Sequence, residues 1–290
     1  MNILLLGGTG TLGKAILSKL AQTDHSISVL SRNARSSTEN IRWITGDLAD
    51  ENEHQKWLKN QDIVIASVHG FFHPKGTQKI DGDSLRKFMD RARGKIKHFI
   101  YISICNANLD SSVKVWRIKG ETEIHLRRSG MDYTIFKPPI FAETWWKYSG
   151  KKAIETGRFF RFGDLPSENS YISVESIAEL VTKSINNPIA RDRTFFIGSD
   201  QTYTDQDLVK LMETFANRSI RLIQLPKILL HFGYYLTRWI RPGISEFLEM
   251  MLWLTEHGIY TDDTKVFDLL GVYPLSAESV WQAKQRTKAE

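Results

Sequence analysis

The chain has 290 residues, 41% hydrophobic and 25% charged, with 39 Lys and Arg against 33 Asp and Glu for a net charge of +6. This is the balance of a folded, core-forming protein and excludes disordered, collagenous and disulfide-rich classes. Cys105 is the sole cysteine, which excludes an intramolecular disulfide and a Cys/His zinc set and fits a reducing compartment.

The chain opens on MNILLLGGTG, an apolar run that stops at glycines and lacks the length and basic flank of a secretory segment. No window approaches the ~18 apolar residues of a spanning helix. A cytoplasmic location is therefore expected. The mild positive excess comes with no zinc-finger spacing, aromatic RNA-binding signature or Lys/Arg block, so nucleic acid is not an expected partner.

Short apolar runs then alternate with helix-patterned stretches: Asn2–Leu6, Lys14–Ala21, Ile27–Leu30, Glu53–Lys59, Ile63–Val68, Gly82–Ala92, His98–Ile102, Gly120–Ser129 and Tyr133–Phe136. Repeated strand and helix predict right-handed βαβ units, hence a doubly wound parallel sheet with helices on both faces, a Rossmann-type α/β fold. The runs are continuous rather than alternating, as strands covered on both sides require. Beyond Pro138 the rhythm breaks, and Trp145, Trp146, Tyr148, Phe159, Phe160 and Phe162 crowd between glycines. Val174–Asn186 then reads as helix and Arg193–Ile197 as a strand rejoining the sheet, with mainly helical sequence from Thr204 onward. The division expected is a nucleotide-binding domain over 1–200, with 139–170 contributing to a substrate region, and a C-terminal cap over 201–290 packed on it.

Gly7-Gly8-Thr9-Gly10-Thr11-Leu12-Gly13 joins the first strand to the first helix. Gly7 permits the tight turn, Gly10 lets backbone approach a pyrophosphate, and Gly13 lets helix and strand pack closely. The helix N-terminus supplies free N–H groups and the positive end of its dipole. At the end of the second strand, where NAD-binding folds place a carboxylate on the ribose 2′-hydroxyl, the chain has Ser31-Arg32-Asn33. A guanidinium at Arg32, with Ser31 and Arg35 as further donors, suits a 2′-phosphate, so NADP(H) is expected over NAD(H). The alternative leaves both arginines as solvated loop charges. Gly46-Asp47-Leu48 is a second candidate contact, with Asp47 set either against an adenine amino group or as the cap of the next helix. Ala66-Ser67-Val68 leaves room for ribose or diphosphate at the sheet edge.

These residues resemble the short-chain dehydrogenase/reductase superfamily, in its atypical NmrA-like branch. The resemblance is carried by Gly7-x-x-Gly10-x-x-Gly13, Arg32, Gly46-Asp47, Phe99-Ile100-Tyr101-Ile102-Ser103, Lys119, the run Ser129–Pro138, and Ile172-Ser173-Val174 with Ile177-Ala178. It is strong over 1–200 and weak beyond. It implies a nicotinamide cofactor held also by Ser103, Lys119 and Pro138, and a reductase chemistry. Family members with full chemistry carry a Tyr four residues before the Lys, and that position is Val115, which cannot transfer a proton.

Three readings follow. Lys119 positions the cofactor or, desolvated, donates the proton itself. Another group, His69, Tyr101, Trp116 or Tyr171, lines the pocket. Or the chain binds NADP(H) without turnover, as a regulator or assembly factor. Lys119 is also spaced to form a mere surface pair with Glu123.

From Arg218 to Arg241 the sequence is basic and aromatic with no acidic residue, predicting a pocket wall or subunit interface, or alternatively a helix lying on an anionic membrane surface. With Phe247–Leu254 and the Trp145–Phe162 cluster, this suggests a small apolar or aromatic substrate, and the expected reaction is NADPH-dependent reduction of a carbonyl, enone or quinone; oligomerisation is compatible.

Overall fold

Alternate residues of the central strands feed opposite faces of one sheet, which is how the continuous apolar runs are used. The computed structural model describes residues 1–163, 168–199 and 201–286, so residues 164–167 of the 139–170 segment and the boundary residue Asp200 lie outside it. In β1 (Asn2–Leu6), Ile3 and Leu5 enter one core cluster while Leu4 and Leu6 enter the other.

The turn after β1 leads into α1 (Thr11–Leu20), followed by β2 (Ser26–Ser31), β3 (Ile41–Thr45), α2 (His54–Leu58) and β4 (Ile63–Ala66). A π-helical turn at Gln78–Ser84 runs into α3 (Leu85–Ala92), then come β5 (His98–Ile102), α4 (Lys114–Arg127) and β6 (Tyr133–Lys137). The next segment holds β7 (Ile140–Phe141), α5 (Ala142–Trp145), α6 (Lys151–Thr156), β8 (Arg158–Phe162) and β9 (Asn169–Ile172). It returns through α7 (Val174–Ser184) to β10 (Arg193–Phe196). The remainder comprises β11 (Thr202–Tyr203), α8 (Asp205–Ala216), β12 (Arg221–Leu225), α9 (Ile228–Thr237), α10 (Pro242–His257), α11 (Lys265–Leu270) and α12 (Ala277–Arg286).

The main sheet has seven parallel strands in the order β10-β6-β5-β4-β1-β2-β3. Strand order reverses between β1 and β4, and in such sheets the crevice beyond the carboxyl ends at that point is where a dinucleotide fits. One face is covered by α1, α7 and α11 and the other by α2, α3 and α4, so both faces are dry, as a parallel sheet requires.

The aromatic crowd after Pro138 forms a separate core. Trp146, Phe159, Tyr171, Tyr203 and Trp281 are buried together there with Leu208 and Met212 of α8. Trp145, Trp146 and Phe159, three of the side chains that suggested an apolar substrate wall, are thus occupied within this core, whereas Tyr148 and Phe160 are exposed. The strand β12, absent from the helical expectation beyond Thr204, pairs in parallel with β8 and ties the C-terminal part to that segment.

Candidate cofactor site

The loop after β1 and the loop after β4 meet at the reversal point. Gly7 has φ +86, and a Cβ there would stand 2.0 Å from the Ser67 carbonyl oxygen. At Gly13 a Cβ would stand 2.1 Å from the Gly7 carbonyl. Neither position accepts a side chain. Gly10 is different, since its Cβ would find only the Gly7 oxygen at an ordinary 3.4 Å. The amide of Gly10 donates to the Gly7 carbonyl at 3.0 Å, closing the turn, and no side chain caps α1. The first-turn amides of α1 therefore face outward with Thr9 and Thr11 exposed beside them, a geometry suited to a diphosphate. Leu12 lies in the core, so only its backbone is available to a ligand.

Ser31 ends β2 and folds back, donating to the Asn33 carbonyl at 2.9 Å and accepting from the Asn33 amide. This turn carries Arg32 into solvent. Arg35, also exposed, lies over the Trp43 ring at 4.9 Å. Asp47 accepts from the Ala49 amide at 2.9 Å and meets His73 Nε2 at 3.0 Å. Partial burial works against its charge, but those two contacts hold the carboxyl below its usual range. Asp47 thus closes a local turn onto Ala49 and does not cap the next helix, since neither Glu51–Glu53 nor α2 carries a side-chain cap, and the contact with His73 is one the sequence did not suggest. Leu48 is in the core, and its carbonyl accepts from Nε2 of the buried His54 ring at 2.7 Å. Ala66 is buried, Ser67 and Val68 are half-buried, and the Ser67 amide donates to the Leu6 carbonyl at 2.9 Å.

Lys119 is buried and its partner is Asp81, with Nζ to Oδ1 at 2.8 Å, not Glu123. The Tyr101 hydroxyl lies 3.4 Å from the same nitrogen. The second Asp81 oxygen accepts from the Gly70 amide at 2.7 Å, and its backbone carbonyl accepts from Thr122 at 2.8 Å. Through Asp81, α4 therefore holds the loop that follows β4. Burial pulls the Lys119 pKa down, yet Asp81 outweighs it and the group stays above its ordinary range. Desolvation does not free this proton. Burial likewise pushes the Tyr101 phenol up to about 12.

Glu123 instead accepts from Ser103 at 2.5 Å, pairs with Arg127 at 2.8 Å and with Lys137 at 3.0 Å. Ser103 is thus turned into a buried charge cluster, and the carbonyl of buried Pro138 accepts from the Cys105 amide at 3.0 Å. Of the other pocket candidates, Tyr171 and Trp116 are buried, and His69 sits accessibly at the β4 edge beside Phe71 and Phe72.

Val115 is 1% exposed and belongs to a buried cluster with Val113, Trp116 and Met250 of α10. Trp116 meets Trp253 edge-on at 4.6 Å. Buried Glu246 fixes α10 in place, accepting from the Thr77 amide at 2.8 Å and pairing with Lys114 at 2.7 Å. Beside this contact a recess of ≈ 460 Å³ opens near the carboxyl ends of β5 and β10, lined among others by Cys105, Asn106, Ser111, Trp116, Phe196 and Trp253. Asp81 and Glu246 were not legible as site residues, because each acts on a segment distant in sequence.

Fold and turn together define a nucleotide-binding Rossmann protein, and residues 7–188 match the NAD(P)H-binding family, to which this chain belongs. It is 26% identical to the photosystem II assembly factor Ycf39 of Trieres chinensis over 97% of this chain and 90% of that one. It is 23% identical to the NAD(P)H azoreductase of Xenophilus azovorans over 77% of each chain. The NADPH-dependent quinone oxidoreductase QOR2 of Escherichia coli, solved with NADPH, shares the fold with a TM-score of 0.76, 16% identity, and coverage of 99% of this chain and 100% of that one. The expected NAD(P)-binding Rossmann fold is thus met. Among the described residues no helix is long and apolar enough to cross a membrane.

Proposed function

We propose that this protein binds NADP(H) in preference to NAD(H) and reduces a small apolar acceptor of the quinone or enone kind. The observation that carries the cofactor reading is the uncapped α1 terminus behind Gly7, Gly10 and Gly13, with Arg32 exposed at the end of β2 where a carboxylate would serve NAD. The bound cofactor supplies a hydride. Gly7–Gly13 would receive its diphosphate, Arg32 its 2′-phosphate, and Ser67 and Val68 would border its ribose.

Val115 supports this choice of acceptor class. A ketone reduced by hydride becomes a strongly basic alkoxide and needs an acid beside it, which valine does not provide. A quinone or enone becomes a delocalised oxyanion that water can protonate after the hydride has arrived. Lys119, charged and tied to Asp81, acts as a positioning residue that holds the Gly70 loop. The recess beside Trp116 and Trp253 offers the acceptor its site.

A second reading, an NADP(H)-responsive assembly factor without turnover, is favoured by the way Glu246 pins α10 over Val115 and by the near full-length likeness to Ycf39. One experiment separates the two: NADPH and NADH titrations run beside NADPH-oxidation assays across quinones and enones. Tight NADPH binding with quinone-dependent oxidation supports the reductase. Tight binding with no oxidation supports the factor, and absence of binding overturns both.

A further inference from the structure

The acid-free segment after Lys227 turns its apolar face outward. Ile228, Leu229, Phe232, Tyr235, Leu236, Trp239 and Ile240 are 52–83% exposed. At about 100° per residue, their positions fall in one continuous arc of roughly 140° on α9 and its last turn. Leu230 lies on the opposite side and is buried, and a Cβ at Gly233 would touch Leu248 of α10 at 3.2 Å. The helix is thus attached to the protein by one face and presents the other to solvent. An exposed aromatic and aliphatic strip this long is unusual for a surface with no partner.

The charges around the strip identify that partner. His231 and Arg238 border one side of the arc, and Arg241 follows immediately, with no Asp or Glu between Arg218 and Arg241. Lys227 is already paired with Glu256 at 2.9 Å and contributes less. The Arg238 guanidinium lies over Trp239 at 5.1 Å and Tyr234 at 6.0 Å, so cation and aromatic rings share one edge. A single convex helix with an apolar crest, rings at its flank and arginines beside them matches a planar surface that is apolar below and anionic above.

We infer that α9 and the turn to Arg241 form a docking face for an anionic lipid membrane, on which the protein lies without crossing it. Phe232, Trp239 and Ile240 enter the acyl boundary, and Arg238 and Arg241 meet headgroup phosphates.

The test is flotation of the full chain with vesicles of phosphatidylcholine alone or mixed with phosphatidylglycerol, at low and high salt. The expected result is binding to the mixed vesicles that weakens with salt. Phe232→Glu and Trp239→Glu should each lower the partition coefficient by about tenfold or more, and Arg238→Glu should remove most of the preference for phosphatidylglycerol. These positions are exposed, so unchanged thermal melting is expected and checks that each variant is folded. No binding to either vesicle overturns the proposal, as does binding indifferent to all three substitutions. Sedimentation velocity provides the remaining outcome: a dimer in the parent chain that Phe232→Glu splits would assign the face to a second copy and overturn it too.

Discussion

The ammonium of Lys119 stands 2.8 Å from the Asp81 carboxylate with both side chains buried, and the other Asp81 oxygen holds the Gly70 amide. The pair therefore links α4, the π-helical turn and the loop after β4 at one point. Removing one partner strands a buried charge, a loss of about 3–5 kcal/mol, whereas removing both can be nearly neutral. Asp81→Ala should lower the urea midpoint strongly, and Asp81→Ala with Lys119→Met should recover much of that loss. A single variant that unfolds like the parent chain would refute the buried pair.

Arg32 is the discriminating group of the proposed cofactor site. A charge-assisted pair to phosphate contributes about 1.5–3 kcal/mol, so Arg32→Glu should weaken NADPH about ten- to a hundredfold while leaving NADH nearly unchanged. Arg35→Ala should do less, since that guanidinium is already stacked on Trp43. Isothermal titration with both cofactors measures the ratio. An unchanged preference in Arg32→Glu would return Arg32 to the class of solvated loop charges.

Two glycines of one turn should fail in different ways. At Gly13 an added methyl meets the Gly7 carbonyl at 2.1 Å, so Gly13→Ala should lose the fold or most of its stability. At Gly10 the nearest atom is 3.4 Å away, so Gly10→Ala should melt close to the parent chain. Its methyl projects where backbone must approach the diphosphate, and NADPH affinity should fall by about tenfold or more. Circular dichroism melts paired with cofactor titration check both halves.

Val115 lies in the buried cluster with Trp116 and Met250, so a tyrosine placed there is not expected to supply proton transfer. Val115→Tyr should overpack that contact, cost about 1–3 kcal/mol in a chemical melt, and leave the rate with quinones no higher. A stable variant with faster turnover would show that α10 yields space there.

His98 gives the acid limb of stability. Burial pulls its pKa down to about 4 from the ordinary 6.5. Thr134 donates its hydroxyl to the Ala190 carbonyl at 2.6 Å, so it must accept from His98 Nε2, 2.9 Å away, and the neutral ring carries its proton there. The unfolded chain binds a proton below about pH 6.5 that the folded chain refuses until about pH 4. Stability from this site is full above that window and declines as pH falls through it, by about 3 kcal/mol in all. His98→Gln places an amide donor near the position of Nε2, removes the titrating ring and should flatten the decline, read from urea midpoints across the interval.

By itself the sequence determined the main sheet and the glycine turn at its edge. Asn2–Leu6 and His98–Ile102 are strands within the boundaries read from their apolar runs, and Gly7–Gly13 dictates its turn, because hydrophobic period and glycine spacing act within a few residues. Helix starts were less legible: α4 begins at Lys114, not Gly120, and the stretch before α3 is π-helical, since tertiary packing sets where such turns begin. Only the tertiary structure decided what Lys119 pairs with, for Glu123 is the neighbour a helix supplies and Asp81 comes from another element. The same holds for Glu246, which reaches the Thr77 amide across most of the chain. Above all it decided the fate of the apolar segments. Trp145–Phe162 and Ile228–Ile240 look alike in composition, yet the first supplies much of a buried core and the second is presented to solvent. An apolar run announces that it will leave water, but whether protein or another surface receives it depends on what the rest of the chain brings alongside.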